Sequence, residues 1–350
     1  MKAVVKTAVG YDNMVYQDIP EPEATGDLVK IKVAYSGICD TDLHAFRGTY
    51  TSTKPQVVLG HEFSGIVTAV GPDVKNIKVG DRVTSETTFA TCGHCACCAS
   101  KDYNLCGNRK GLGTQINGSM AQYIVSREES VHLLPPHVSL LSASLTEPLA
   151  CGVHASIEKG HVKAGDVVCV FGAGAIGQMV AQVCKSQGAT VIVADITSGR
   201  SRLDMAVANG ADIAVDQLTE DLKQIIMERT NNEGVDIAFE CSGSVVAANK
   251  ALEVTRRKGT IVQMGVFSEP KALIWTDLIL HRELNYIGSR SQKPSSWRIS
   301  IDLLGKGTVV PERIVSKIVT LENWREAFDM FLRGEGVKGV ICCNEDLAES

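Results

Sequence analysis

The stretch VVCVFGAGAIG, residues 167–177, decides the fold. Its first five residues, Val167–Phe171, are an unbroken apolar run, the pattern of a strand buried on both faces. The glycine turn Gly172-Ala173-Gly174-Ala175-Ile176-Gly177 follows and opens an apolar helical stretch over 175–187. Strand, glycine turn and helix in that order form the phosphate loop of a βαβ unit. Gly172 permits the tight turn, Gly174 lets the backbone approach a pyrophosphate, and Gly177 lets the helix pack close to the sheet. Unpaired N–H groups at the helix start, including those of Ala175 and Ile176, are then offered to the phosphates. Asp195 stands 18 residues after Gly177, at the end of the next apolar run over 191–194. A carboxylate there accepts hydrogen bonds from ribose hydroxyls and repels a 2′-phosphate, which favours NAD. Arg200 and Arg202, a few residues on, could neutralise that phosphate and leave NADP open.

Outward from this loop the same texture continues. Strands at 236–240, 259–264 and 285–288 and helices at 202–209 and 247–255 predict an α/β fold with a doubly wound parallel sheet, the Rossmann arrangement, over residues 155–289. Residues 1–154 differ, with short β-rich segments at 28–34, 65–70, 81–84 and 121–125 broken by glycine. The tail from 290 holds a helix at 323–333 and a last strand at 339–343. It is expected to rejoin the first domain. At 350 residues the chain is long for a single core, so two domains are expected.

Composition excludes some partners. With 40 acidic against 35 basic residues and a net charge of −5, there is no basic footprint for nucleic acid or a membrane surface. The N-terminal stretch lacks the apolar centre of a signal peptide, and no run is long enough to cross a bilayer. A cytoplasmic protein is predicted. Its 12 cysteines then read as metal ligands and buried free thiols, because a reducing compartment does not keep disulfides.

Four of those cysteines, Cys92, Cys95, Cys98 and Cys106, are separated by two, two and seven residues. Short loops of this kind let thiolates converge on one tetrahedral zinc. A bacterial iron–sulfur run would need a cysteine and a proline where Asp102 and Tyr103 stand. Residues 90–110 are therefore expected to form a lobe around a structural zinc, with Cys97 a bystander. A zinc ribbon that binds nucleic acid is a rival use of such a cluster, and the charge balance disfavours it.

A second donor set is scattered: Cys39-Asp40-Thr41-Asp42-Leu43-His44, then Gly60-His61-Glu62, then Thr146-Glu147-Pro148. Thiolate, imidazole and carboxylate together suit a catalytic zinc with an open position. Taken singly, each segment also reads as structural. Together with the four-cysteine lobe and the GAGAIG loop, in this order, they resemble the zinc-dependent medium-chain dehydrogenase/reductase family over essentially the whole chain. Glu147, in its Glu-Pro-Leu-Ala context, resembles the sorbitol and polyol dehydrogenase branch. The resemblance implies a GroES-like catalytic domain with a Rossmann domain inserted before the tail and an active site in the cleft between them. It implies that Cys39, His61 and Glu147 bind a catalytic zinc, with Glu62 beside it as an alternating or water-exchanged ligand. A dimer or tetramer is implied as well.

The chemistry expected is oxidation of a secondary hydroxyl. Zinc lowers the pKa of the substrate hydroxyl and NAD takes the hydride, while the Thr41 hydroxyl and then His44 carry the proton away. Asp42 is expected to hydrogen-bond the ligating imidazole. The resemblance implies that the substrate is a polyol or a polyol phosphate, a pentitol phosphate above all, and the product a ketose. Arg47, Lys54, Arg109, Lys110, Arg290, Lys293 and Arg298 are the basic residues from which a phosphate grip could come, Arg290 and Arg298 first. The alternatives are a threonine-type or simple secondary-alcohol dehydrogenase, and a cofactor-sensing or zinc-storage protein without turnover.

Overall fold

The computed structural model describes every residue except 197, 199, 269, 270, 349 and 350. The chain divides into two units, Met1–Glu147 with Lys293–Ser350, and Pro148–Gln292.

In the first unit, strand β1 (Leu28–Gly37) alternates at its start, with Val29, Ile31 and Val33 buried and Lys30 and Lys32 facing outward. Its second half is buried throughout, so it leads straight into the interior. Helix α1 (Asp40–Arg47) follows with Cys39 as its N-cap and ends at Gly48, whose φ of 75° suits the left-handed cap. Strand β2 (Glu62–Val70) runs antiparallel to β1 with Gly37 opposite Glu62. That register brings the end of β1, and so Cys39, beside the start of β2, where His61 and Glu62 lie. Strands β3 (Arg82–Ser85) and β4 (Val131–Leu133) extend the sheet beyond β2, and helix α2 (Thr146–Val153) carries Glu147 in its first turn.

The second unit is a six-stranded parallel sheet. Its strands are β5 (Val167–Phe171), β6 (Thr190–Asp195), β7 (Ile213–Asp216), β8 (Val235–Glu240), β9 (Thr255–Gln263) and β10 (Asn285–Gly288), with helix α3 (Ala175–Ser186) after the first. The spatial order is β7-β6-β5-β8-β9-β10. Both faces are covered: Val168, Val170, Val193 and Phe239 enter one apolar cluster, while Cys169, Phe171, Ala194 and Ala238 enter another. Alternate residues of a strand point to opposite faces, so a strand covered on both sides must be apolar at every position. That is why VVCVF reads as an unbroken run. The chain winds in opposite directions from β5 and from β8, so the switch point lies between their carboxyl ends, where ligands bind in open α/β sheets.

The tail returns to the first sheet. Helix α4 (Pro294–Gly305) is followed by β11 (Val315–Thr320) and β12 (Lys338–Cys342), and β12 pairs antiparallel with β1, with Val340 opposite Gly37. Helix α4 was not anticipated from the sequence. Its buried face is Ser296, Trp297, Ser300, Leu303 and Leu304, so two serines blur the apolar stripe, and Pro294 at its start is its main signal. Strand β7 and the helix Leu222–Arg229 are further elements that the apolar pattern did not reveal, both short and only partly buried. Among the described residues no helix is long and apolar enough to cross a membrane.

Candidate active site

Cys39, His61 and Glu62 each offer a ligand atom, and these atoms lie within 4.8 Å of one another. No ion is needed to hold them there, because Asp42 clips the two segments together. Its Oδ2 accepts from the Cys39 N–H at 2.9 Å and its Oδ1 from the Gly60 N–H at 3.2 Å. His61 Nδ1 is 4.0 Å from Asp42 Oδ1, a charge contact in place of the hydrogen bond expected from the sequence. Burial opposes a charge on His61. The hydrogen bond that His61 donates to the Cys39 sulfur and the negative charges of Cys39, Asp42 and Glu147 outweigh it and raise the imidazole well above its ordinary value.

Glu62 is 1% exposed and meets a residue that sequence reasoning missed. Lys338, at the start of β12, is 3% exposed and donates to Glu62 Oε1 at 2.7 Å and to the Ile38 carbonyl at 2.8 Å. Its Nζ is also 2.6 Å from Oε2, but out of line for a hydrogen bond, so Oε2 is left without a hydrogen-bond partner. Thiolate, imidazole and a carboxylate oxygen without a hydrogen-bond donor together make a donor set that suits zinc, beside the Lys338 ammonium that already pairs with Glu62. Gly37 makes room for it, since a Cβ there would stand 2.2 Å from Oε2. The only hint of Lys338 in the sequence is a lysine directly before the apolar run of β12, a strand buried at every position.

Glu147 lies outside the set of three but within electrostatic reach of it. Burial raises its carboxyl and Glu62 raises it further, against His61, Lys338 and Arg109, which pull it down. Arg109 is itself held by the hydroxyls of Thr88 and Thr87 at 2.8 and 2.6 Å. Of the other basic residues singled out, Lys293 bonds Asp102 at 3.1 Å, and Arg47, Lys54, Lys110, Arg290 and Arg298 are exposed. The Thr41 hydroxyl, two residues from Cys39, is buried with no hydrogen-bond partner among the described residues. His44 is exposed on α1, its Nδ1 3.0 Å from the Thr49 hydroxyl.

In the lobe, Cys92, Cys95, Cys98 and Cys106 also cluster within 4.8 Å. Sulfur separations of 3.9 Å (Cys92 to Cys98), 3.5 Å (Cys95 to Cys98) and 3.7 Å (Cys92 to Cys106) match the edge of a tetrahedron. That edge is about 3.8 Å for a Zn–S bond of about 2.3 Å. The hydrogen bond from Thr91 draws Cys98 down to about 6, toward the thiolate a metal takes. Cys97 is half-buried and outside the cluster.

In the second unit the glycines behave as the loop requires. Gly172 has a φ of 95°, a Cβ on Gly177 would stand 1.9 Å from the Gly172 carbonyl, and Gly174 faces open space. Helix α3 begins at Ala175 and Ile176 directly after Gly174. Asp195, the last residue of β6, accepts from the Ala173 N–H at 2.9 Å and so touches the loop itself. Arg200 pairs with Asp204 at 3.3 Å on the surface.

A metal-type donor set on a GroES-like sheet and a dinucleotide loop on a Rossmann sheet define a zinc-dependent alcohol oxidoreductase. Residues 25–136 match the alcohol dehydrogenase GroES-like domain and residues 175–306 the zinc-binding dehydrogenase domain. The chain is 48% identical to D-arabitol-phosphate dehydrogenase of Enterococcus avium, covering 99% of this chain and 98% of that protein. It is 44% identical to a sorbitol dehydrogenase of Halalkalibacterium halodurans, covering 97% and 99%. Among solved structures, a zinc-binding dehydrogenase of Sinorhizobium meliloti 1021 bound to NADP superposes with a TM-score of 0.89 at 31% identity, covering 97% of this chain and 98% of that one. The chain belongs to the zinc-dependent medium-chain dehydrogenase/reductase family, in its polyol dehydrogenase branch.

Proposed function

We propose that this protein oxidises a secondary hydroxyl of a sugar-alcohol phosphate, a pentitol phosphate first, to the ketose, with NAD as hydride acceptor. The observation that carries the reading is the convergence of Cys39, His61 and Glu62, with the buried Thr41 hydroxyl, two residues from Cys39, without a hydrogen-bond partner among the described residues. Cys39, His61 and a carboxylate, Glu62 or the neighbouring Glu147, would hold the catalytic zinc, and the four lobe cysteines a structural one. Zinc supplies a Lewis acid that lowers the pKa of a substrate hydroxyl, and the nicotinamide supplies the hydride acceptor. Thr41 takes the hydrogen bond of that hydroxyl, and His44, exposed at its own end of α1, hands the proton to solvent. Asp195 favours NAD, and the pairing of Arg200 with Asp204 leaves that arginine less free for a 2′-phosphate.

Kinetics across free and phosphorylated pentitols and hexitols test the substrate. The phosphate ester is expected to exceed the free polyol in kcat/KM by at least about tenfold, or about 1.4 kcal/mol, which one charge-assisted contact can supply. Equal rates would leave a plain polyol dehydrogenase. Faster turnover of threonine or a simple secondary alcohol would favour the alternative.

A further inference from the structure

Glu240 ends β8 directly opposite Phe171, the last residue before the glycine turn, so it lies at the switch point of the sheet. It is 0% exposed, yet its carboxylate has no cation paired with it among the described residues. Four donors surround it instead. Oε1 accepts from the Ser242 N–H at 2.8 Å and from the Ser242 hydroxyl, and Oε2 from Gly243 N–H at 3.1 Å and Gln263 Nε2 at 2.7 Å. Donors directed at both oxygens, two of them backbone N–H groups, are the arrangement that supports a carboxylate charge in a buried site. The charge is felt nearby: burial raises the Cys241 thiol and the Tyr286 hydroxyl, and Glu240 raises both further.

The cluster joins the carboxyl ends of β8 and β9 to β10. Gln263 ends β9 and its Oε1 accepts from the hydroxyl of Tyr286 on β10 at 2.7 Å, while Ser242 packs against Gly172. Asp195 would hold the adenosine ribose at β6, on the other side of the phosphate loop. A dinucleotide that crosses the loop would then have its nicotinamide half on the side of β8, β9 and β10. Oxidised nicotinamide is a cation and reduced nicotinamide is neutral. An uncancelled buried charge acts strongly on the first and hardly on the second.

We propose that Glu240 sets the relative affinity of the protein for oxidised and reduced nicotinamide dinucleotide, its buried charge favouring the oxidised ring. The inference rests on the dinucleotide role of the second unit. Titrating NAD+ and NADH separately into the full-length protein, by calorimetry and by NADH fluorescence, gives the ratio of the two Kd values. In Glu240→Gln the ratio Kd(NAD+)/Kd(NADH) is expected to rise about tenfold. Glu240→Asp, which keeps the charge, should hold it within about threefold even if both affinities drop. A loss shared equally by the two forms in Glu240→Gln would mean that Glu240 only shapes the loop, and the proposal falls. Gln263→Lys cancels the charge by pairing with it, and is expected to shift the ratio in the same direction as Glu240→Gln. If Glu240→Gln is not recovered folded, an unchanged ratio in Gln263→Lys overturns the proposal. Failure of the unaltered protein to bind either form would remove the dinucleotide reading and the inference with it.

Discussion

Lys338 Nζ stands 2.7 Å from Glu62 Oε1, a buried ion pair between residues 276 positions apart in the chain. The pair fixes Glu62 where Cys39 and His61 converge, and it brings the C-terminal strand to the same point.

Lys338→Met leaves the Glu62 carboxylate buried and unpaired. Breaking such a pair costs about 3–5 kcal/mol. In the zinc-free protein that cost should appear in full as a lower Tm. Zinc at Cys39, His61 and Glu62 would supply the missing positive charge, so the gap between variant and wild type should shrink when zinc is added. Thermal melts of both proteins with and without zinc read this directly. A gap that is the same in both conditions would mean that Glu62 does not face the metal.

The two donor sets should separate by mutation. Cys95→Ser removes a lobe thiolate, and structural zinc contributes folding free energy. It is expected to lower stability or assembly and to reduce the zinc count from two per chain to one. Cys39→Ser should abolish turnover while the melting curve of the zinc-free protein stays close to wild type. Elemental analysis alongside the melts checks both. Identical behaviour of the two variants would contradict the division of roles.

Much of this was legible in the sequence because it is local. The phosphate loop spans six residues and is flanked by a strand buried on both faces, so spacing and periodicity alone identify it. The lobe cysteines lie within 15 residues and short loops close them. What stayed hidden is non-local. Glu62 and Lys338 come from strands joined through β1, and nothing in either segment signals the other. The sequence pointed to Glu147 as the third ligand and to Glu62 as an alternating or water-exchanged one. The fold puts Glu62 in the cluster with Cys39 and His61 because Gly37 pairs with Glu62 across β1 and β2, a register no single segment encodes. Likewise Asp42 was expected to serve the imidazole, whereas its two oxygens bind the Cys39 and Gly60 amides once the helix has formed.

For the proton path, Thr41→Val should cost far more than His44→Ala. The Thr41 hydroxyl is buried with no hydrogen-bond partner among the described residues, so a substrate hydroxyl would find it free and water would have no room to replace it. His44 is exposed, and water can take its place. A loss of about 100-fold or more in kcat is expected for Thr41→Val, in the range of general acid–base contributions. For His44→Ala a smaller loss is expected, one that exogenous buffer partly restores. Equal losses would make His44 the more central group.

Asp195 has two separable roles, since it would face the ribose and also accepts the Ala173 N–H of the phosphate loop. Asp195→Ala removes both the charge and the loop contact. Asp195→Asn removes the charge while its amide oxygen can still accept from Ala173. Both variants should relax discrimination against NADP, by about tenfold in the ratio of kcat/KM values, because the repulsion of a 2′-phosphate is gone. Only Asp195→Ala should also weaken binding of either cofactor through the loop, where the lost hydrogen bond is worth about 1 kcal/mol. Steady-state kinetics with NAD and NADP on the two variants separate the effects. If wild type already used both cofactors equally well, the charge of Asp195 would not be what selects the cofactor.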